Sequence, residues 1–311
     1  MEYRQLGRSG LQVSAAGLGA NPFGNEVGQE AATAVVQRAL DLGVNYFDTA
    51  NTYNDGRSEE ILGRALQGRR GEVVLGTKAG GAMGPGPNEG GASRKHLIES
   101  VEASLRRLGT DWIDLFHIHH PDPLTPSEET MGALDDLVHA GKIRYIGCSN
   151  YPEWQIVESQ RIAQSEHLTL FISCQPPYNL LNREIERGIV PVCERYGLGI
   201  IPYFPLAGGF LTGLYRRGES LPPGSRGANR PTFARWTSIE RNWDLLEQLE
   251  VFAKERGHTV TELAISWLVS HSYIKTVIAG ADVPAHVEAN IRAAEWTLSA
   301  EELAELDGIT Q

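Results

Sequence analysis

The chain has 311 residues, 41% of them hydrophobic and 22% charged, a composition typical of a soluble globular protein and not of a disordered one. Its net charge is −11, so the chain lacks the basic surface that a nucleic-acid-binding protein needs. Because no apolar run could cross a membrane or serve as a signal peptide, we expect a cytoplasmic protein without a membrane partner.

The predicted elements begin with a short hairpin. The segment YRQLGRSGLQVS turns at Arg8, Ser9 and Gly10, and we expect it to cover the amino-terminal end of the structure that follows. Short apolar runs then alternate with helical patterns. The predicted strands are VSAAGLG, GVNYFDTA, EVVLGTK, WIDLFHIH, KIRYIGCSN, LTLFISCQ, LGIIPYF and TVIAGA. Each is apolar on both faces, which is typical of parallel strands covered on both sides by helices.

Helix start and stop signals separate these strands. Residues 125–128 (TPSE) read as a capping box with Pro126 at the first helical position, and Gly141 ends the same helix. Residues 259–262 (TVTE) and 299–302 (SAEE) repeat the capping-box pattern further along the chain. These signals predict helices that begin directly after loops, as in an alternating α/β protein.

Eight strands, each followed by a helix, predict a (β/α)8 barrel that takes residues 1–311 as a single domain. A doubly wound sheet is the competing architecture, but it needs a glycine fingerprint that GLGANPFG does not match. The spacing widens only after the seventh strand, where the loop LPPGSRGANRP and two helical patterns come before the eighth strand. We expect an extra helix there.

Polar side chains mark the carboxyl ends of the predicted strands, where enzymes with this architecture place their active sites. In chain order these residues are Asp48, Lys78, His119, Ser149, Asn150, Gln175 and Tyr203, with Tyr53 in the loop after Asp48. The four side chains of Asp48, Tyr53, Lys78 and His119 form a chemically coherent set.

A free tyrosine has a pKa of about 10, which is too high for efficient proton transfer near neutral pH. The ammonium of Lys78 is expected to lower the pKa of Tyr53, and Asp48 is expected to hold the lysine in place. His119 can then position a carbonyl oxygen beside the tyrosine hydroxyl. Such a set is suited to delivering a proton to a carbonyl oxygen while another group attacks the carbon.

Seven segments in this order resemble the aldo-keto reductase superfamily: GVNYFDTANTY, VVLGTK, DLFHIHHP, IRYIGCSN, ISCQ, IPYFPLAGGFLTG and IAGADVPAHVEAN. The resemblance extends from about Arg4 to the last helix. It implies the barrel fold and hydride transfer between a nicotinamide dinucleotide and an aldehyde or ketone, or the corresponding alcohol. It also implies that Asp48, Tyr53, Lys78 and His119 are the catalytic residues, with Tyr53 as the general acid and base.

The resemblance implies a set of cofactor contacts as well. Ser149, Asn150 and Gln175 would hydrogen-bond the nicotinamide carboxamide, and Tyr203 would stack on the nicotinamide ring. The remaining implied contacts are Ala20, Phe204, Leu206, Gly280, Asp282, His286 and Asn290.

The identity of the cofactor depends on the segment GADVPAH. Many members of the family have lysine, arginine or serine there, and these residues bind the 2′-phosphate of NADP(H). Here Asp282 is the only fixed charge, and a carboxylate suits the free ribose diol of NAD(H). The resemblance favours NADP(H), and NAD(H) is the alternative.

The substrate wall is predicted from residues that stand where many relatives have tryptophan. Asn21, Phe23 and His120 are expected to contribute to it. The glycine-rich loop of residues 80–93 is expected to be mobile, and few residues follow the last helix. The resulting pocket should be wide and polar, and its substrate a polar or sugar-like carbonyl compound.

Three other interpretations are open. Asp48 and Lys78 could form a purely structural ion pair. His117 and His119 face the same side of one strand and could bind the metal of a hydrolase, but a complete site needs three ligands and Lys78 would repel the cation, so we predict no metal. The protein could also be a regulatory relative, like the β-subunits of potassium channels, that binds cofactor and turns over slowly.

Overall fold

In the part of the chain that the structure describes, residues 1–230 and 233–310, eight parallel strands form one curved sheet. The structure is a computed structural model. A hairpin comes first, formed by β1 (Tyr3–Gln5) and β2 (Gln12–Ser14). The eight strands are β3 (Ala16–Gly19), β4 (Tyr46–Asp48), β5 (Val74–Ala79), β6 (Ile113–Ile118), β7 (Ile143–Ser149), β8 (Phe171–Gln175), β9 (Gly199–Ile200) and β10 (Val277–Gly280). Seven of them lie within the predicted apolar runs, and β5 extends one residue, Ala79, beyond its run EVVLGTK.

The sheet closes into a barrel. Strands β3 to β9 pair in chain order, and β10 pairs with β3 in parallel register. At the remaining edge, Ile200 of β9 pairs with Ile274, and the Lys275 amide donates to the Ile200 carbonyl over 2.9 Å. The predicted (β/α)8 barrel is therefore confirmed.

Helices surround the barrel and connect consecutive strands. They are α1 (Gln29–Asp41), α2 (Arg57–Ala65), α3 (Arg94–Leu108), α4 (Ser127–His139), α5 (Glu153–Ser165), α6 (Ile189–Tyr196), α7 (Arg226–Asn229), α8 (Ala234–Thr237), α9 (Glu240–Glu255), α10 (Val260–Val269), α11 (Pro284–Glu295) and α12 (Ala300–Thr310). Helices α7 to α10 lie between β9 and β10, which confirms the predicted extra helical segment. Pro231, at the end of the predicted loop, lies outside the described residues. Among the described helices, none combines the length and the apolar character needed to cross a bilayer.

Two of the three predicted capping boxes are confirmed. Thr259 and Glu262 bond reciprocally at the start of α10, and Ser299 and Glu302 do the same before α12. The prediction for residues 125–128 was wrong. There the Thr125 hydroxyl donates to Asp122 instead of capping the helix, and Pro126 takes the cap position.

The hairpin plugs the amino-terminal end of the barrel. Leu6 and Val13 are fully buried and pack against the barrel residues Tyr46, Leu115 and Ile201. This contact leaves the opposite end, where the strands reach their carboxyl ends, as the open mouth.

Candidate active site

A cavity of about 700 Å³ opens at the carboxyl ends of the strands. Its volume falls within the range of small-molecule and cofactor sites. Fifteen of the predicted site residues are among those that line it: Asn21, Asp48, Tyr53, His119, His120, Ser149, Asn150, Gln175, Tyr203, Phe204, Leu206, Gly280, Asp282, His286 and Asn290. The barrel therefore brings most of the predicted site together, although the chain positions span more than 250 residues.

Lys78 lies under the floor of this cavity and is fully buried. Its ammonium lies 2.5 Å from Asp48 Oδ2, donates to the Thr49 carbonyl over 2.7 Å, and reaches the Tyr53 hydroxyl at 3.4 Å. An ammonium has three donors, so these three acceptors satisfy it. The strands β4 and β5 are neighbours, and this places the lysine between the carboxylate and the phenol.

Burial and the charge of Lys78 change the pKa of Tyr53 in opposite directions. Burial raises the pKa of Tyr53 above its usual range, and the nearby Lys78 ammonium lowers that pKa by less. For Lys78, burial lowers the pKa, but Asp48 and Tyr53 together outweigh it and leave the pKa raised. Lys78 therefore acts to lower the pKa of Tyr53, as predicted. The net change of that pKa is nevertheless upward, because desolvation disfavours a phenolate. Tyr53 holds its proton at neutral pH.

His119 stands beside this group as a neutral imidazole. Burial, with a smaller contribution from the Lys78 charge, lowers the pKa of His119 to about 3. Its ring meets the Tyr53 ring edge-on at 5.7 Å between centroids and stacks on His120 at 4.7 Å. A neutral imidazole keeps one N–H, so His119 can donate a hydrogen bond without bringing a second cation into the site.

His117 lies deeper, inside the barrel. Its Nε2 lies 3.0 Å from the Ser173 hydroxyl of β8, and burial holds the pKa of His117 well below its usual range. Among the residues with described positions, no group of three or more histidine, cysteine, aspartate or glutamate side chains is arranged to bind a metal. The metal-hydrolase interpretation has no support in this geometry.

The ends of β7, β8 and β9 carry a linked group of polar side chains. The Tyr203 hydroxyl donates to Asn150 Oδ1 over 2.7 Å, and Asn150 Nδ2 donates to the His119 carbonyl over 2.8 Å. Gln175 Nε2 donates to Asp48 over 3.0 Å. The side-chain oxygen of Gln175, Oε1, accepts no hydrogen bond from any described residue, so it is available to an amide donor such as a carboxamide, whereas its main-chain carbonyl accepts from the Ser149 hydroxyl.

Two glycines after β9 bring the backbone itself to the cavity wall. Gly208 and Gly209 line it with φ values of +68° and +106°. These left-handed conformations suit glycine, and they let the chain approach a ligand closely. Phe204 and Ala207 also have positive φ values, 57° and 49°.

The far end of the cavity lies at the start of α11. Gly280, Asp282, His286 and Asn290 line it, and Asp282 is exposed. Arg230 is the only lysine or arginine among the described lining residues, and Glu26 holds it at 2.8 Å. The described residues at this end therefore offer a carboxylate and no free cation.

Three predicted residues, Lys78, Phe23 and Ala20, are not among the residues that line the cavity, and one charged lining residue was not predicted from the sequence. Phe23 is fully buried in the apolar core, and Ala20 is buried with its carbonyl accepting from Ser58 over 2.7 Å. The missed residue is Arg230, whose pairing with Glu26 joins loops 204 positions apart. The Arg/Gly/Pro-rich composition of its loop was the only signal, and composition does not reveal a long-range partner.

Comparison with known proteins agrees with this geometry. The family model described as "Aldo/keto reductase family" matches residues 15–311. A rice protein named "Probable voltage-gated potassium channel subunit beta" is 39% identical over 94% of this chain and 91% of its own. An Escherichia coli O157:H7 protein named "L-glyceraldehyde 3-phosphate reductase" is 37% identical over 99% and 92%. A Bacillus subtilis protein named "Uncharacterized oxidoreductase YrpG" is 35% identical over 99% and 96%.

Proposed function

The chain belongs to the aldo/keto reductase family and is an oxidoreductase of that family, and from this premise we propose that Tyr53 delivers the proton in the NAD(P)H-dependent reduction of a small aldehyde or ketone. One observation carries the assignment. The Lys78 ammonium contacts both Asp48 and the Tyr53 hydroxyl at the floor of the cavity, 2.5 Å and 3.4 Å away. A proton donor with a fixed charge behind it is what carbonyl reduction requires of the protein.

Each residue of the site has a separate role in the proposed reaction. A reduced nicotinamide dinucleotide, when bound, supplies the hydride. Tyr53 gives its proton to the carbonyl oxygen, and Lys78 stabilises the phenolate that is left. Asp48 keeps Lys78 charged and oriented. Neutral His119 donates a hydrogen bond to the same carbonyl oxygen and so fixes its position beside the Tyr53 hydroxyl.

The cavity offers matching groups for the cofactor. Gln175, Ser149 and Asn150 have the amide and hydroxyl groups that a carboxamide needs, and Tyr203 offers an aromatic face. The backbone around Phe204 and Leu206 would bound the middle of the cofactor. Gly280, Asp282, His286 and Asn290 would hold the adenosine end.

The preference between NADP(H) and NAD(H) is tested at Asp282. Family membership favours NADP(H), whereas a carboxylate beside a 2′-phosphate is unfavourable. Asp282→Ala should tighten NADP(H) binding several-fold relative to NAD(H), as measured by the Kd of each cofactor in a fluorescence titration. Asp111→Ala removes the same charge from an exposed site before β6 and should leave the ratio of Kd values unchanged. An unchanged ratio in Asp282→Ala would show that this carboxylate does not face the ribose.

The proposed substrate is a polar or sugar-like carbonyl compound. Asn21 and His120 line the substrate side of the cavity with polar groups. The relative named "L-glyceraldehyde 3-phosphate reductase" supports the same class of substrate. If bulky apolar ketones had a higher kcat/KM than hydroxylated aldehydes, this part of the proposal would be wrong.

A second candidate function is regulatory, and the name of the rice relative supports it. One experiment separates the two. Cofactor binding is first measured by fluorescence, and a panel of aldehydes and ketones is then screened by loss of NAD(P)H absorbance. Turnover of a carbonyl compound supports the reductase, whereas tight cofactor binding without turnover on the whole panel supports the regulatory role. Adding a chelator should change neither result.

A further inference from the structure

Arg235 holds a positive charge against the aromatic wall of the cavity. Its guanidinium carbon lies 4.8 Å from the centre of the Phe204 ring and 4.9 Å from the centre of the Trp236 ring. Phe204 lines the cavity and meets Tyr203 edge-on at 5.0 Å. The two aromatic rings therefore hold the guanidinium against Phe204, a residue of the cavity lining, although Arg235 does not line the cavity itself.

This guanidinium has no acidic partner within the described ranges. Neither an ion pair nor a hydrogen bond joins Arg235 to another described residue. Its side chain is exposed, so a ligand can reach it. The other cations of the site are taken, Lys78 by Asp48 and Arg230 by Glu26. Burial raises the pKa of Tyr203, and the charge of Arg235 acts to lower that pKa by less. This effect agrees with the position of Arg235 near Tyr203.

The chemistry of such a group is specific. A guanidinium stacked on aromatic rings is weakly hydrated, and its N–H donors lie in one plane. That plane matches the oxygens of a phosphate or a carboxylate, which accept two parallel hydrogen bonds. In a chain with a net charge of −11, an unpaired cation against Phe204 of the cavity lining favours an anion over a neutral group.

We propose that Arg235 binds a phosphate or carboxylate group of the substrate, so that the substrate class is an anionic aldehyde or ketone. The proposal rests on the reductase function. The diphosphate of the cofactor carries the same oxyanion chemistry, so the test must separate it from the substrate. Arg235 acts in this account on the choice of substrate and not on the proton transfer.

The test compares glyceraldehyde 3-phosphate with uncharged glyceraldehyde. The wild-type protein should have a higher kcat/KM for the phosphorylated aldehyde. In Arg235→Gln, the ratio of the two kcat/KM values should fall by about tenfold or more, as expected for the loss of a charge-assisted pair. Arg235→Lys keeps the charge but not the planar fork, and it should restore part of the ratio. Arg161→Gln is the matched control, since it removes the same charge from an exposed position of α5 outside the cavity, and it should leave the ratio unchanged.

The cofactor is tested separately by the Kd of NADPH and NADH. An Arg235→Gln variant whose cofactor Kd rises, with both aldehydes losing kcat/KM equally, would assign Arg235 to the cofactor's diphosphate and overturn the proposal. An unchanged ratio would overturn it as well. Calorimetric titration of glycerol 3-phosphate and of glycerol into the cofactor-loaded protein gives the same comparison without turnover. Absence of turnover on both aldehydes would therefore count against the reductase function, while the binding difference still decides the role of Arg235.

Discussion

At the scale of single residues, burial and neighbouring charges together decide which side chains of the site are charged. Tyr53 and His119 are both desolvated, and in both cases the neutral form is the one favoured. Lys78 keeps its charge because Asp48 lies within 2.5 Å of it. The result at neutral pH is one cation, one carboxylate, a protonated phenol and a neutral imidazole. This is the protonation state that the proposed reduction needs at the start of the reaction.

The pH dependence of reduction follows from these shifts. In the proposed mechanism reduction needs protonated Tyr53, so its rate should fall only as the pH rises through a pKa that burial has raised. It needs neutral His119, so its rate should fall on the acid side only as the pH approaches about 3. We predict that kcat/KM for reduction is flat from about pH 5 to about pH 9.5. An acidic limb near pH 6.5 that disappears in His119→Gln would contradict the shift assigned to His119.

Residues at strand ends could be predicted from the sequence, and residues placed by loops could not. Asp48 and Gln175 follow directly from the rule that the mouth of a barrel lies at the carboxyl ends of its strands. Phe23 was expected in the substrate wall but packs into the core, because the loop after β3 turns it inward. Arg235 gave no signal at all, since its position depends on how the long segment after β9 folds back over Phe204.

At the scale of elements, the turn that carries Tyr53 is unusual. The three residues after Tyr53 all have positive φ values: 52° at Asn54, 55° at Asp55 and 86° at Gly56. Asn54 donates to the carbonyls of Asn21 and Phe23 over 2.9 Å and 2.7 Å. Left-handed residues in succession cost free energy, and they persist where the surrounding contacts hold them. The turn thereby fixes Tyr53 against the loop after β3.

Gly56 is the residue of this turn that should tolerate substitution least. A Cβ there would lie 2.7 Å from the Arg107 side chain, and its φ of +86° disfavours any L side chain. Gly56→Ala should lower the free energy of unfolding by about 1–3 kcal/mol, measured by urea denaturation. Gly71→Ala is the control, because no atom lies within 4 Å of a Cβ at that position. It should have little effect or raise stability by up to about 1 kcal/mol.

Most elements could be predicted because periodicity and caps report on local chain geometry. The capping boxes of α10 and α12 formed as expected, since each needs only residues three positions apart. The box at residues 125–128 failed for a non-local reason. Asp122 accepts from the Thr125 hydroxyl and from the Ala92 amide at once, and this ties the loop to the preceding strand–helix connection.

At the scale of the whole molecule, the two ends of the barrel have different tasks. The amino-terminal end is closed by the hairpin, with Leu6 and Val13 fully buried. The carboxyl-terminal end holds the cavity and the polar residues. Changes at the closed end should therefore affect stability, whereas changes at the open end should affect activity.

Leu6→Ala tests this division. Removal of a fully buried leucine side chain leaves a cavity and should lower the free energy of unfolding by about 2–5 kcal/mol. The kcat of the folded variant should stay close to that of the wild-type protein. Leu124→Ala truncates the same side chain at a position that is 92% exposed, and its stability should change by less than about 0.5 kcal/mol. Equal effects of the two substitutions on unfolding would contradict the plug.

Tyr53 is proposed as the proton donor of a site in which Lys78 supplies the positive charge. The most direct test of this role is Tyr53→Phe, with kcat measured on a reducible aldehyde and cofactor Kd measured by fluorescence on the same preparation. We predict that kcat falls by about 100-fold or more, because the substitution removes only the hydroxyl that gives the proton, while the Kd stays within about twofold. Full activity in Tyr53→Phe with the same Kd would contradict the account.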